Sequence, residues 1–310
     1  MYKIHFLNVG HGDCIIVHYP SRTRKKDNYH KDERIMMIDI NHHSDSDIYE
    51  DVIKYYKRNF KNGNGGYKSI FRFICTHPHK DHITGLKDLF EENGISVCNF
   101  WNIDHEFKPE KFEDDKHEQD WLKYKDLQKE GASSKLIITD REDVPRKYWD
   151  DDEDRITVIS PSREIIKEVH ARKQDGSKRE SHEIEIDEIS YSFLLRFNDI
   201  KVYLAGDGKE KCLNNIYENS SNELKGLNIL KAGHHGQESG FHENLVKLMK
   251  PTHIIFSNSE DEDKAHGAEK LYSKVLPNAK ILKTFEEGTI ILNVDFDNNF
   301  QFINTQGNEI

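Results

Sequence analysis

Residues 76–85 read THPHKDHITG, and they decide how the rest of the chain is read. Four candidate metal ligands, His77, His79, Asp81 and His82, stand within six residues. They directly follow SIFRFIC (69–75), an apolar run of the buried-strand type. In an extended backbone alternate side chains share one face, so His77 and His79 can converge on one cation. Asp81 and His82, past the bend, can address a second. Neutral imidazoles with a carboxylate suit Zn²⁺ and also accept Mn²⁺ or Fe²⁺, so the donor types leave the metal open. The bland alternative is a polar histidine-rich loop. A ligand set this dense and ordered at a strand end has little structural use, which favours metal.

Working outward, the pattern is strand-rich on both sides. YKIHFLNV (2–9) and CIIVHY (14–19) read as strands joined by a GHGD hairpin signal. After a charged loop, RIMMIDI (34–40) is another apolar strand with Asp39 near its end. Apolar positions at helical spacing from Ile48 to Tyr56 predict a helix over 48–60, ended by the breaker KNGNGG (61–66). ITGLKDLFEEN (83–93) reads as helix. Residues 105–155 are rich in Asp, Glu and Lys with spaced Trp121, Tyr124 and Trp149, predicting a helical, surface-lying insertion with little core of its own. RITVIS (155–160), ISYSFLLRF (189–197), IKVYLAG (200–206), LNILKAG (227–233), THIIFSN (252–258) and TIILNV (289–294) resume the strand pattern, with helices over 241–249 and 268–275. The succession suggests an α/β protein of two similar sandwich halves.

A length of 310 residues allows one large α/β domain or two modest ones. No run approaches the roughly 18 apolar residues a membrane span needs. The opening MYKIHFLNVG lacks the basic, apolar and cleavage regions of a signal peptide, which predicts a cytoplasmic protein. Cys14, Cys75, Cys98 and Cys212 form no CxxC pair, so neither a disulfide framework nor a thiolate zinc finger is indicated. The net charge of −11 argues against coating nucleic acid by general attraction. It leaves a nuclease open, because cations in a cleft can supply the local positive field.

With these residues in view, the chain resembles the metallo-β-lactamase superfamily, whose HxHxDH signature residues 77–82 reproduce in full. FLNVGHGDC (6–14), MMIDI (36–40), YLAGDG (203–208), LKAGHHG (230–236) and GTIIL (288–292) are similar to blocks of its branch that includes ComEC-type competence proteins. The resemblance implies a four-layer αββα sandwich in one domain over 1–310, with a charged, helical insertion at 105–180. It implies two divalent metal ions, most readily Zn²⁺, held by His77, His79, Asp81 and His82. Asp207 is the expected bridge, and His266 is the expected late histidine, although the branch more often has asparagine there. For the third ligand of the first metal His182 is favoured, with Asp187 and His105 as alternatives.

The same resemblance implies hydrolysis of a phosphodiester, in a nucleic acid or a small nucleotide. Two cations make hydroxide available near neutral pH, and Asp81 belongs to that machinery. His234 and His235 are jointly expected to contact the scissile phosphate or protonate the leaving group. No GxSxG signal suggests a serine nucleophile. A lactone or ester hydrolase and a non-catalytic metal-binding sensor are the alternatives, and no membrane role is expected. Lys80 reads as a solvated loop residue. His11 and Asp13 could support the ligands from behind, though a structural role is the stronger reading. Arg22, Arg24, Lys25 and Lys26 could steer an anion or simply be solvated. Trp101, Trp121 and Tyr124 could line a recognition surface or pin the insertion.

Overall fold

The computed structural model describes residues 1–24, 29–44, 46–129, 134–143, 154–171, 177, 179–260 and 267–310. Trp149, Lys25, Lys26 and His266 lie outside them.

Two mixed sheets form the centre. The first has eight strands in the order Phe300–Ile303, Ile290–Val294, Tyr2–Phe6, Ile15–Tyr19, Arg34–Ile38, Ile70–Ile74, Val97–Asn102, Lys135–Ile138. The second has six, in the order Asp154–Ser160, Ser192–Phe197, Ile200–Leu204, Ile229–Lys231, His253–Phe256, Lys280–Lys283. Each sheet pairs antiparallel through its hairpins and then turns parallel, from Arg34–Ile38 to Lys135–Ile138 in one and from Ile200–Leu204 to Lys280–Lys283 in the other. That repetition is the pair of similar halves expected from the sequence.

Alternation along the strands sorts side chains into three cores. Ile4, Phe6, Val17, Met36 and Ile74 of the first sheet meet Val158, Phe193, Leu195, Val202 and Ile255 of the second in the central core. Leu7, Ile16, Met37 and Phe73 face the other way, against Val52, Ile53 and Tyr56 of helix Val52–Asn59 and Trp121 and Tyr124 of helix Asp115–Leu127. On the far side Leu194, Tyr203, Leu230 and Ile254 pack on Leu213 and Ile216 of helix Glu210–Asn219, with Leu245 and Tyr272. Sheet packs on sheet and helices cover both outer faces, which is a four-layer αββα sandwich.

Segment 105–180 differs from the expected surface-lying helical piece. Helix Asp115–Leu127 forms, started by the Asp114 carboxylate accepting from the His117 N–H at 2.7 Å. It buries Trp121, Tyr124 and Leu127, however, and the segment also supplies the edge strand of each sheet, Lys135–Ile138 and Asp154–Ser160. The abundance of charge hid a narrow apolar stripe. Trp101, Trp121 and Tyr124 are all buried, so they pin the structure and line no open surface. Among the described residues no helix is long and apolar enough to cross a membrane.

Candidate metal centre

Loops that leave the carboxyl ends of neighbouring parallel strands carry the site, where backbone is free to turn side chains inward. Ile70–Ile74 delivers residues 76–82, Arg34–Ile38 delivers Asp39, Ile200–Leu204 delivers Asp207, and Ile229–Lys231 delivers His234 and His235. The Tyr191 N–H donates to the Thr76 carbonyl at 3.0 Å, tying the second sheet to the loop of the first.

Two donor sets converge there. In the first, His77 Nε2 lies 3.0 Å from His79 Nδ1 and 3.2 Å from Asp187 Oδ1, which is 2.9 Å from His79 Nδ1. In the second, Asp207 Oδ2 lies 3.1 Å from His82 Nε2 and 3.0 Å from His235 Nε2, and Asp81 Oδ2 is 3.2 Å from the same His235 nitrogen. The rings of His77 and His82 are 4.1 Å apart at their centroids, so the sets adjoin. Among the described residues, Asp207 Oδ1 is buried and has no hydrogen-bond partner. Carboxylates and imidazoles gathered around two points with donor atoms left over fit two divalent cations.

The charges agree. Asp13, Asp39, Asp81, Asp187 and Asp207 cluster here against two lysines, Lys209 on Asp187 and Lys231 on Asp13, an excess of three negative charges among the described residues when the imidazoles are counted as neutral. Burial works against a charge on His82, yet Asp207, Asp81 and Asp39 hold its pKa well above the ordinary histidine value. His235 is likewise raised against its burial by Asp207 and Asp13. Asp187 is also penalised by burial, and hydrogen bonds from His77 and His79 still pull its carboxyl well below the usual range. The carboxylates thus draw positive charge onto the imidazoles, the place a cation would take in exchange for protons.

Behind the ligands, Asp39 holds the motif. Its Oδ2 is 2.8 Å from His82 Nδ1 and accepts from the Thr76 hydroxyl at 2.6 Å, while Oδ1 accepts from the Thr76 N–H at 2.7 Å. A carboxylate on the far ring nitrogen fixes the tautomer that presents Nε2 to a cation.

The structure rearranges the expected late ligands. His182 sits exposed on the short turn Ser181–Glu183 and joins neither set, because the segment is anchored by Ile184, which turns into the central core and leaves His182 in solvent. Asp187, the alternative nearer the strand, is the third member of the first set. His105 is half-buried elsewhere, its Nε2 2.5 Å from the Tyr124 hydroxyl, and loss of solvent lowers its pKa to about 3. His235, expected to act on the substrate together with His234, instead completes the second set. It can do so because His234 and His235 both take positive φ, 48° and 54°, followed by Gly236 at 90°. A Cβ on Gly236 would lie 2.1 Å from the Phe256 ring, so only glycine lets this turn swing His235 inward. His234 stays half-buried at the rim, its Nδ1 2.7 Å from the Ser239 hydroxyl, with a pKa that burial lowers to about 4.

Sequence reading missed Lys209 and Lys231. A lone lysine inside the apolar strand LNILKAG was the available signal, since a buried ammonium needs a partner. Lys80 pairs with Glu113 at 2.8 Å and Asp114 at 2.9 Å, half-exposed as expected for a loop lysine. A cleft of about 1010 Å³ opens beside the second set, bordered by Asp81 and His11 and walled by His42, His43, Tyr49 and His117. Asp81 is the partly exposed member of its set and faces this opening.

No family's sequence model matches the chain, and no curated protein matches it. Among solved structures it is similar to Igni18, a metallo hydrolase of the hyperthermophilic archaeon Ignicoccus hospitalis KIN4/I, at 14% identity over 94% of this chain and 100% of that one, with a TM-score of 0.49. It is similar to the metallo-beta-lactamase fold protein YhfI of Bacillus subtilis at 10% identity, covering 91% and 95% of the two chains, TM-score 0.49. Zn²⁺-bound PqqB of Methylobacterium extorquens shares 8% identity over 95% and 100% of the chains, TM-score 0.48. The layers and donor sets of this chain stand on its own sheet order, cores and distances.

Proposed function

We propose that this protein is a hydrolase that holds two divalent metal ions side by side and cleaves phosphodiesters. The observation that carries the reading is the pair of adjoining donor sets, His77, His79 and Asp187 beside Asp81, His82, Asp207 and His235. Among the described residues Asp207 keeps one carboxylate oxygen without a hydrogen-bond partner, which would be available to a second cation. Two such cations, when bound, supply hydroxide near neutral pH and neutralise charge on a phosphoryl oxygen. The chain's own groups do the rest. Asp39 and Thr76 hold the 77–82 loop, Asp81 faces the cleft, and His234, whose Nδ1 meets the Ser239 hydroxyl, would offer Nε2 as a hydrogen-bond donor to a substrate oxygen. A phosphodiester is favoured over a lactone by the LKAGHHG block, whose first histidine stands beside the site without being drawn into either donor set.

The test is metal content of the wild type and of Asp207→Ala, paired with hydrolysis of bis(p-nitrophenyl) phosphate in added Zn²⁺ or Mn²⁺. Two metals per chain with metal-dependent turnover in the wild type, and turnover abolished in the variant, are expected. A wild type that binds no metal sinks the reading, and two metals without phosphodiester turnover move it to esters and lactones or to a sensor.

A further inference from the structure

Lys231 is among the largest fully buried side chains, 1% exposed, at the end of a central strand directly under the second donor set. Its ammonium pairs with Asp13, 3% exposed, which lies in the opening GHGD hairpin, 218 residues away in sequence. Taking both charges out of water is costly, and a well-packed apolar pair would serve packing as well or better. The position of the pair shows what it does. Asp13 Oδ2 stands 3.7 Å from Nδ1 of His235, a buried nitrogen that has no hydrogen-bond partner among the described residues. That distance is long for a hydrogen bond, but in a dry interior the carboxylate acts strongly on the ring. The carboxylate thus stands behind the ring at Nδ1 while Nε2 on the opposite side faces Asp81 and Asp207. Asp39 does the equivalent for His82 by direct contact.

We propose that Lys231 and Asp13 form a positioning pair for the metal centre: Lys231 anchors the Asp13 carboxylate, and Asp13, behind the ring, sets His235 with Nε2 toward Asp81 and Asp207. The pair also joins the two sheets, since Asp13 follows the first strand of one and Lys231 ends a parallel strand of the other. Gly12 keeps the hairpin close, its α-carbon facing Asn41 and the Asp81 carbonyl, which a Cβ would meet at 2.5 and 2.7 Å. The inference rests on the two-metal reading given above.

Affinity for the second equivalent of Zn²⁺, measured by competition with a chromophoric chelator, tests it together with the thermal midpoint. The set is wild type, Asp13→Asn, Lys231→Met and the double variant. Both single changes strand a buried charge and should lower the midpoint, while the double change removes both charges and should recover most of it. The second equivalent should bind 10- to 100-fold more weakly, the usual cost of losing a partner behind a ligand, in the double variant as in the singles. Recovery of tight binding in the double variant, or tight binding throughout, overturns the proposal and leaves the two-metal reading intact. A wild type that takes up no zinc overturns both. The double variant keeps the comparison valid where a single variant fails to fold.

Discussion

Asp187 and His182 separate two accounts of the first donor set, so a pair of substitutions decides between them. Asp187→Asn keeps the shape of the side chain and removes its charge. Asp187 is nearly buried, its Oδ1 lies 3.2 and 2.9 Å from two imidazole nitrogens, and its Oδ2 takes the Lys209 ammonium. Removing one member of a buried charge cluster costs about 3–5 kcal/mol because its partners are left uncompensated. Expressed as lost affinity for the first cation, that is roughly a 10²- to 10⁴-fold rise in Kd. His182 is exposed on a polar turn, and His182→Ala should change metal affinity and stability by no more than about 0.5 kcal/mol. Zinc titration by calorimetry, with the chelator assay for the tight range, reads both variants on one scale. A His182→Ala protein that loses an equivalent of metal while Asp187→Asn retains two would refute the geometric assignment and restore the sequence-based one.

Gly236→Ala combines positive φ with a Cβ driven into Phe256, so it should cost about 2–5 kcal/mol. Gly226→Ala, at φ 68° in open space, should show only the strain of roughly 1–2 kcal/mol, and equal midpoints by urea denaturation would argue against the close contact. His234→Ala should keep both metals yet slow turnover by about 10²- to 10⁴-fold on substrates with poor leaving groups, with a smaller loss on p-nitrophenyl esters of phosphate. Uniform loss across leaving groups, or loss of metal, would remove it from that role. His5 is buried against Tyr55, 2.7 Å from its hydroxyl, and burial lowers its pKa to about 3. The unfolded chain takes up a proton near pH 6.5 that the folded chain refuses, so the His5 contribution is whole above that pH and is lost as pH falls toward 3. By pH 5 about 2 kcal/mol should be gone. Comparison of wild type with His5→Asn across pH 7.5 to 5 isolates this slope, and parallel curves would contradict it.

Much of the centre was legible from local sequence. His77, His79, Asp81 and His82 lie within one turn-bounded loop, so backbone geometry over a few residues suffices to bring them together. Asp207 ends a strand whose apolar run marks it as buried, and an acid there has few other uses. Strands alternating with helices indicated an α/β protein of two similar halves, and the resemblance of the ordered blocks implied the four-layer sandwich. What local sequence misread involved distance along the chain. His182 and Asp187 are five residues apart in a polar stretch, and no periodicity says which of them the second sheet carries inward. Trp121 and Tyr124 are spaced one helical turn apart, and only the covering of the first sheet reveals that this stripe is core.

By itself, then, the sequence determined the alternation of strands and helices and the gathering of His77, His79, Asp81 and His82 in one loop, because hydrophobic periodicity and adjacent spacing are properties of a few neighbouring residues, while the αββα layering was implied by the family resemblance. Tertiary structure alone decided that His235 joins the second donor set, that Asp187 joins the first, and that Lys231 meets Asp13. Those choices depend on a left-handed turn closed by Gly236 and on the approach of two sheets, and a buried charge reveals its partner only when the chain has brought the two together.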